Sequence, residues 1–238
     1  STHIASTRIA ALLLLTVAAS AFFISRDSQA APRSASKSSA DAALSFRMTA
    51  RFAARDGGKT VSGPAQTFDG RVFLRGDRAR IETQISDRSV WFLYSPPYLY
   101  KLLPEEHAGV RWRTDRAQPQ GWGSAQMNRW LRHPASLRGE LKKHGARPLA
   151  STQLNGTPVE VWQWRNAKAK TDSGLTPTSG KVWLRRSDGL PLRLETTSPS
   201  LSAVVSWRDY ARKPLSENLF RVPSGFSIRD SKGAPRLM

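Results

Sequence analysis

The side chains that could carry acid–base chemistry are sparse, and their densest group is Glu105, Glu106 and His107. A carboxylate beside an imidazole is a common pair for proton transfer. The chain has four histidines, none at a metal-ligand spacing, and no cysteine. It also lacks a nucleophile-elbow or phosphate-binding glycine motif. We interpret Glu105–His107 as a solvated loop, and predict a protein that is not an enzyme and uses no metal or cofactor.

The first thirty residues are typical of an export signal. Arg8 precedes an uncharged run from Ile9 to Ile24, and small residues around Ala30 suit a signal peptidase. The run is shorter than the roughly twenty residues of a membrane span, although an uncleaved anchor is the alternative. The predicted organisation is a signal peptide over 1–30, a flexible lead with a short helix over 31–44, one domain over 45–230 and a flexible tail over 231–238.

The chain is strongly basic. It has 37 Lys and Arg against 18 Asp and Glu, a formal net charge of +19, and the basic residues are spread through every segment. The electrostatic field of such a protein attracts anions. For an exported, extracytoplasmic protein these anions are lipid headgroups and cell-wall polymers. We therefore predict no nucleic-acid partner and an anionic membrane surface as a further partner. A merely basic, solvated surface is the alternative.

Apolar residues alternate with polar ones along the first half of the chain, which is typical of strands with one dry face. Phe46, Met48 and Phe52 share one side of a strand over 45–52. Val72 and Leu74 share a side of the next strand, and Ile81 and Ile85 a side of the one after it. The turn Gly76-Asp77 joins these last two strands into a hairpin. Strands with one polar, solvent-exposed face and one apolar, buried face favour an antiparallel sheet.

Residues 89–94 are apolar on both faces, so this strand is expected to lie centrally or to be covered on its second side by another element. Val182 and Leu184 share a face further along, as do Leu190, Leu192 and Leu194 after the turn Asp188-Gly189. Further strands are predicted over 98–103, 110–114, 159–164, 201–210 and 219–228, the last at an edge because of Pro223 and Gly225. Helix formers predict short helices over 124–132 and 134–143, with Gly145 ending the second.

About ten strands in one open sheet are expected to curl. The predicted fold is mainly β with short helices (α+β): a curled antiparallel sheet that forms an incomplete barrel, lidded by helices, around an apolar interior. Two sheet faces are available, and the sequence does not say which of them is concave.

Four stretches resemble the LolA-like and LolB-like periplasmic lipoprotein carriers. They are GRVFLRGDRARIE (70–82), SVWFLYSP (89–96), GKVWLRRSDGLPLRLE (180–195) and NLFRVPSGFSI (218–228). The resemblance implies a non-catalytic carrier of a lipoprotein or another acylated lipid, with one half-barrel domain that shields acyl chains. It also implies that Arg80 contacts the lid. The candidate cavity residues are Phe46, Met48, Phe52, Val72, Leu74, Ile81, Ile85, Phe92, Val182, Leu184, Leu192 and Leu194.

Three other functions stay open at this point. A protein with the same sheet would serve as an envelope sensor or scaffold if its interior were packed and a protein partner docked on it. The arginines and tryptophans alternatively suit a binder of anionic lipid or cell-wall polymer. An unidentified hydrolase is the remote alternative.

Overall fold

A computed structural model describes residues 43–56, 59–60, 65–113, 134–143, 145–165, 179–198 and 201–231. These residues form one helix, α1 (Pro134–Lys143), and two 3-10 turns, Pro104–Glu106 and Glu217–Phe220. The strands are β1 (Leu44–Asp56), β2 (Lys59–Thr60), β3 (Gln66–Arg75), β4 (Arg78–Ile85), β5 (Arg88–Ser95), β6 (Tyr98–Leu103), β7 (Ala108–Arg113), β8 (Arg147–Pro148), β9 (Thr152–Leu154), β10 (Thr157–Arg165), β11 (Ser179–Arg185), β12 (Pro191–Thr197), β13 (Leu201–Arg212) and β14 (Ser227–Asp230).

The strands build a single sheet in the order β14-β7-β6-β5-β4-β3-β1-β13-β12-β11-β10-β8, with β2 beside β1 and β9 beside β10. The sheet is large and curled, and it does not close into a barrel. The predicted mainly β fold, an incomplete barrel of antiparallel strands, is confirmed. One described pair departs from it, because β14 runs parallel to β7. Among the described residues no helix is both long and apolar enough to cross a membrane.

The hairpins follow from their turn residues. Gly76 has a φ of +57° between β3 and β4, a left-handed conformation that glycine adopts without a steric cost. The predicted hairpin is therefore confirmed, with Val72 opposite Ile81 in its register. Beyond it, β1 lies between β3 and β13, and both of these neighbours run antiparallel to it over most of its length.

The two faces of the sheet differ in what covers them. The face that carries the large apolar cluster, together with α1, is called the inner face below. The opposite, outer face carries a small second cluster at β3, β5 and β6. Strand β5 contributes to both, with Phe92 on the inner side and Leu93 on the outer side. The prediction that residues 89–94 are covered on both sides is confirmed.

Residues 213–231, called the C-terminal segment below, form the outer cover of this part of the sheet. The buried Phe220 packs with Leu93 and Leu102. The strand predicted over 219–228 is therefore wrong: its first residues belong to a 3-10 turn, and only β14 pairs with the sheet. The turn arises because the Ser216 hydroxyl caps it, accepting a hydrogen bond from the Asn218 N–H.

Ion pairs fasten both ends of the C-terminal segment. The Glu217 carboxylate lies 2.8 Å from Nη1 of Arg78 and 2.9 Å from Nη1 of Arg75. The hydrogen bond from Arg78, with the charge of Arg75, lowers the pKa of the Glu217 carboxyl. Arg111 holds Asp230 at 2.6 Å and lowers the pKa of that carboxyl in the same way.

The structure bears on two of the three helices predicted from the sequence. Helix α1 is confirmed over 134–143, and Gly145 (φ +78°) ends it, with the N–H groups of Gly145 and Ala146 bonded to the carbonyls of Lys142 and Leu141. The short helix predicted within 31–44 does not include Leu44, which begins β1. Residues 40–42 and the helix predicted over 124–132 lie outside the described residues.

Candidate functional site

The inner face is the candidate site, because it is the widest apolar surface that the described residues build. Its cluster draws side chains from β1, β3–β7, β10–β13 and α1. Most of the predicted cavity residues belong to it: Phe46, Met48, Phe52, Val72, Leu74, Ile81, Phe92, Val182, Leu184 and Leu194. Ile85 packs against it while partly buried. The period of two therefore brings residues from distant parts of the sequence onto one face.

Leu192 is the one predicted cavity residue that neither belongs to the inner cluster nor packs against it. The pairing of β11 with β12 shifts register between Trp183 and Leu184, so that Leu184 lies opposite Pro191 while Trp183 lies opposite Arg193. This bulge takes Leu192 out of step with Leu190 and Leu194. It is partly exposed and lies outside the inner cluster. The predicted alternation of the three leucines is therefore wrong at its middle residue.

Two glycines on the inner face make room for aromatic rings. Trp164 lies directly opposite Gly180, and a Cβ built on Gly180 would be 2.1 Å from Cζ2 of Trp164. Phe68 covers Gly70 in the same manner, with Cζ 2.6 Å from the Cβ position. The rings therefore lie flat over the backbone, where they extend the apolar surface along the sheet.

Helix α1 covers part of the inner face from the β10 side. Its buried Leu137 and Leu141 join the inner cluster. Arg138 forms an ion pair with Glu160 of β10, and Nζ of Lys142 lies 6.0 Å from the ring centre of Trp162. The described helix thus contributes two leucines to a cluster of 27 buried residues, most of which come from the sheet.

The inner face also carries polar atoms that the sequence did not single out. The indole Nε1 atoms of Trp112 and Trp162 are buried and have no hydrogen-bond partner. Lys101 lies between Phe92 and Val110 in the strand register, and burial lowers the pKa of its ammonium. Leu99, Leu103 and Val110, which share the side of Lys101 and Trp112 in β6 and β7, pack in or against the inner cluster, so Lys101 and Trp112 lie on the inner face.

Arg80, the predicted lid contact, points to the outer face. It is 6% exposed and lies against the C-terminal segment, donating from Nη1 to the Leu219 carbonyl at 3.2 Å. Its Nη2 lies 2.7 Å from Glu82, and its guanidinium lies 3.9 Å from the ring centre of Trp91. Desolvation lowers the pKa of Arg80, and the Glu82 carboxylate opposes that shift. Helix α1 lies over the other face.

Glu105, Glu106 and His107 occupy the turn between β6 and β7. Glu105 accepts a hydrogen bond from the Ser89 N–H, and Glu106 pairs with Arg88. The His107 ring lies edge-on to Phe226 of the C-terminal segment. All three side chains are exposed. Among the described residues no group of three His, Asp or Glu side chains is arranged to hold a metal ion.

Arginines line the outer face where β3, β1 and β13 meet. Arg47 lies directly opposite Arg71 on one side and Arg208 on the other, and these three exposed residues are called the arginine row below. Asp69 lies 3.1 Å from Arg47 and 3.8 Å from Arg208. Like charges directly opposite each other in a sheet are unfavourable. With Asp209 4.0 Å from Arg208, two carboxylates lie among three guanidinium groups and leave a net positive charge.

No protein-family model and no curated protein matches the chain. Among solved structures, an uncharacterized conserved protein from Thermus thermophilus is 13% identical, with 78% of this chain and 90% of that one covered and a TM-score of 0.44. LprF from Mycobacterium bovis is 9% identical (76% and 90% covered, TM-score 0.44), and a LolA superfamily protein from Nitrosomonas europaea is 11% identical (90% and 97% covered, TM-score 0.35). These likenesses concern the fold alone.

Proposed function

We propose that the protein is an exported carrier that binds the acyl chain of a lipid or lipoprotein on the inner face of its curled sheet. The observation that carries the proposal is the breadth of the apolar cluster, which gathers buried side chains from ten strands and α1 on one face of a curled sheet. An acyl chain lying between α1 and the sheet would be shielded from water. Burial of an acyl chain contributes about 0.8 kcal/mol per methylene, which is sufficient to hold a ligand without any reaction or cofactor.

The helix is attached in a way that suits a movable cover. Two of its polar contacts to the sheet, from Arg138 and Lys142, go to β10. An ion pair that is partly exposed contributes little to stability, so opening of α1 from this edge would cost little electrostatic energy. In this proposal residues 1–30 direct export and residues 45–230 form the carrier domain.

The binding of uncharged methyl esters of increasing chain length tests the proposal. Affinity, measured by displacement of a polarity-sensitive dye, should rise about fourfold with each added methylene until the site is filled, because each buried methylene contributes about 0.8 kcal/mol. Val182→Thr keeps the side-chain shape but buries a hydroxyl on the inner face, and should weaken binding about fivefold.

The matched control is Val204→Thr, which makes the same change at a partly buried position of β13 outside the inner cluster. It should leave ester affinity unchanged. Affinity that does not depend on chain length in the wild-type protein would show that no acyl chain is buried, and the carrier proposal would then fail.

The arginine row favours a second function, the binding of an anionic membrane surface. Each basic side chain near such a surface contributes about 1 kcal/mol, so replacement of Arg47, Arg71 and Arg208 by glutamine should weaken binding to phosphatidylglycerol vesicles about a hundredfold at low salt. Replacement of the exposed Arg88, Arg186 and Arg229 by glutamine changes the net charge equally. An equal loss in both triple variants would mean that total charge, and not the arginine row, drives binding.

A further inference from the structure

Trp112 presents a polar atom that its surroundings do not satisfy. The residue is 7% exposed and belongs to the inner cluster, yet its Nε1–H has no acceptor. A buried donor without an acceptor is unfavourable, because it has lost its hydrogen bond to water. The donor lies on the face that the proposed function assigns to the acyl chain, so a ligand there is positioned to supply the acceptor.

A basic residue is the diagonal neighbour of Trp112 on the adjacent strand. In the register of β6 and β7, Leu99 is opposite Trp112 and Lys101 is opposite Val110, so Lys101 and Trp112 are diagonal neighbours. Diagonal neighbours on one face are within reach of long side chains. The flanking residues Leu99 and Val110 both pack in or against the inner cluster, which places Lys101 on the same face. Burial also lowers the pKa of Lys101, so its ammonium is partly withdrawn from water.

We propose that Trp112 and Lys101 form the head-group end of the acyl site and bind an oxyanion at the end of the chain. The indole N–H donates to one oxygen, and the ammonium balances the charge. A fatty-acid carboxylate and a lipid phosphate share this chemistry. The inference rests on the proposed function, because it assumes that the chain lies on the inner face.

Trp162 is the second tryptophan on this face with an unpartnered N–H, and it is the natural comparison. It lies on β10, near the opposite end of the sheet order from β7. The cation beside it, Lys142, belongs to α1 and is exposed. Trp112 is the better head-group residue because its neighbouring cation lies on the sheet itself and is partly desolvated.

Dye displacement by three probes of similar length tests the proposal: dodecanoate, dodecyl phosphate and uncharged pentadecane. Trp112→Phe should weaken both anions about tenfold and change pentadecane affinity less than twofold, because a hydrogen bond to a charged group is lost. Lys101→Met should act in the same direction on the anions alone. Trp162→Phe should change the affinities for the two anions and for pentadecane alike, and the outer-face Trp183→Phe should leave all three affinities unchanged. Comparison of the two anions identifies which head group the site prefers.

The indole N–H signals in nitrogen-15 NMR spectra provide a readout that a merely structural role would not move. The chain has eight tryptophans. The indole signal that is absent from the spectrum of the Trp112→Phe variant belongs to Trp112. That signal should shift downfield with dodecanoate and not with pentadecane. If pentadecane still binds, an unchanged Trp112 signal overturns the head-group assignment. A loss of affinity for the anions alone in Trp162→Phe also overturns it. If no probe displaces the dye from wild-type protein, the carrier proposal itself fails.

Discussion

Glu82→Gln is expected to lower the free energy of unfolding by about 3 kcal/mol, because it leaves the Arg80 charge buried without a counter-charge. Arg80 is 6% exposed and its Nη2 lies 2.7 Å from Glu82. Glutamine keeps the shape of glutamate, so the loss would report charge and not packing. Urea unfolding followed by circular dichroism measures the effect. The double variant Arg80→Met/Glu82→Gln should be more stable than Glu82→Gln alone, since it removes the stranded charge.

Strand β12 offers a matched control for this change. Arg193 and Glu195 have the same spacing as Arg80 and Glu82, and Arg193 also lies over a tryptophan, Trp183, at 5.6 Å. Both side chains are 38% exposed, so water screens the pair. Glu195→Gln should therefore cost less than about 1 kcal/mol. Equal losses in the two variants would contradict the view that burial makes the Arg80–Glu82 pair important.

Gly180→Ala is the second change with a large expected effect, also about 3 kcal/mol of lost stability. The added methyl group would lie 2.1 Å from Cζ2 of Trp164 and 2.7 Å from the Glu195 carbonyl oxygen. The ring can move only by leaving its place in the inner cluster, and the carbonyl is held in the β11–β12 pairing. Near-ultraviolet circular dichroism should change with the displaced tryptophan, and urea unfolding measures the loss.

Gly139→Ala is the corresponding control, because a Cβ built on this glycine of α1 meets no atom within 4 Å. Alanine in a helix interior is more favourable than glycine by about 1 kcal/mol, so this variant should be slightly more stable than wild type. If Gly180→Ala unfolds at the wild-type urea concentration with an unchanged tryptophan signal, the close packing of Trp164 over Gly180 is wrong.

The sequence predicts the strands and the inner face well where side-chain polarity alternates without interruption. Phe46, Met48, Val72 and Ile81 reach the inner cluster as their spacing indicates. The apolar residues on both sides of 89–94 correctly indicate two covers, since Phe92 and Leu93 enter different clusters. These features depend on local periodicity, which a single sequence displays.

The sequence does not reveal features that depend on contacts between distant segments. The bulge that displaces Leu192 is set by the pairing of β11 with β12. Alternation along β4 turns Arg80 away from Ile81, but its burial depends on the C-terminal segment, far along the chain, which supplies the Leu219 carbonyl and covers it. The same segment returns as a parallel strand beside β7, whereas its composition suggests only an edge strand. The unpartnered N–H of Trp112 is visible only when its neighbours in space are known.

Photocrosslinking with a fatty acid that carries a diazirine near its methyl end tests the central claim most directly. After irradiation, peptide mass spectrometry locates the residues to which the chain is attached. The proposed function predicts attachment on the inner face, in peptides that contain Phe92, Val182 or Leu194. An excess of unlabelled fatty acid should prevent it. Attachment confined to outer-face residues such as Trp183 or Phe226, or attachment that competitor does not reduce, would contradict the claim that the inner face holds the acyl chain.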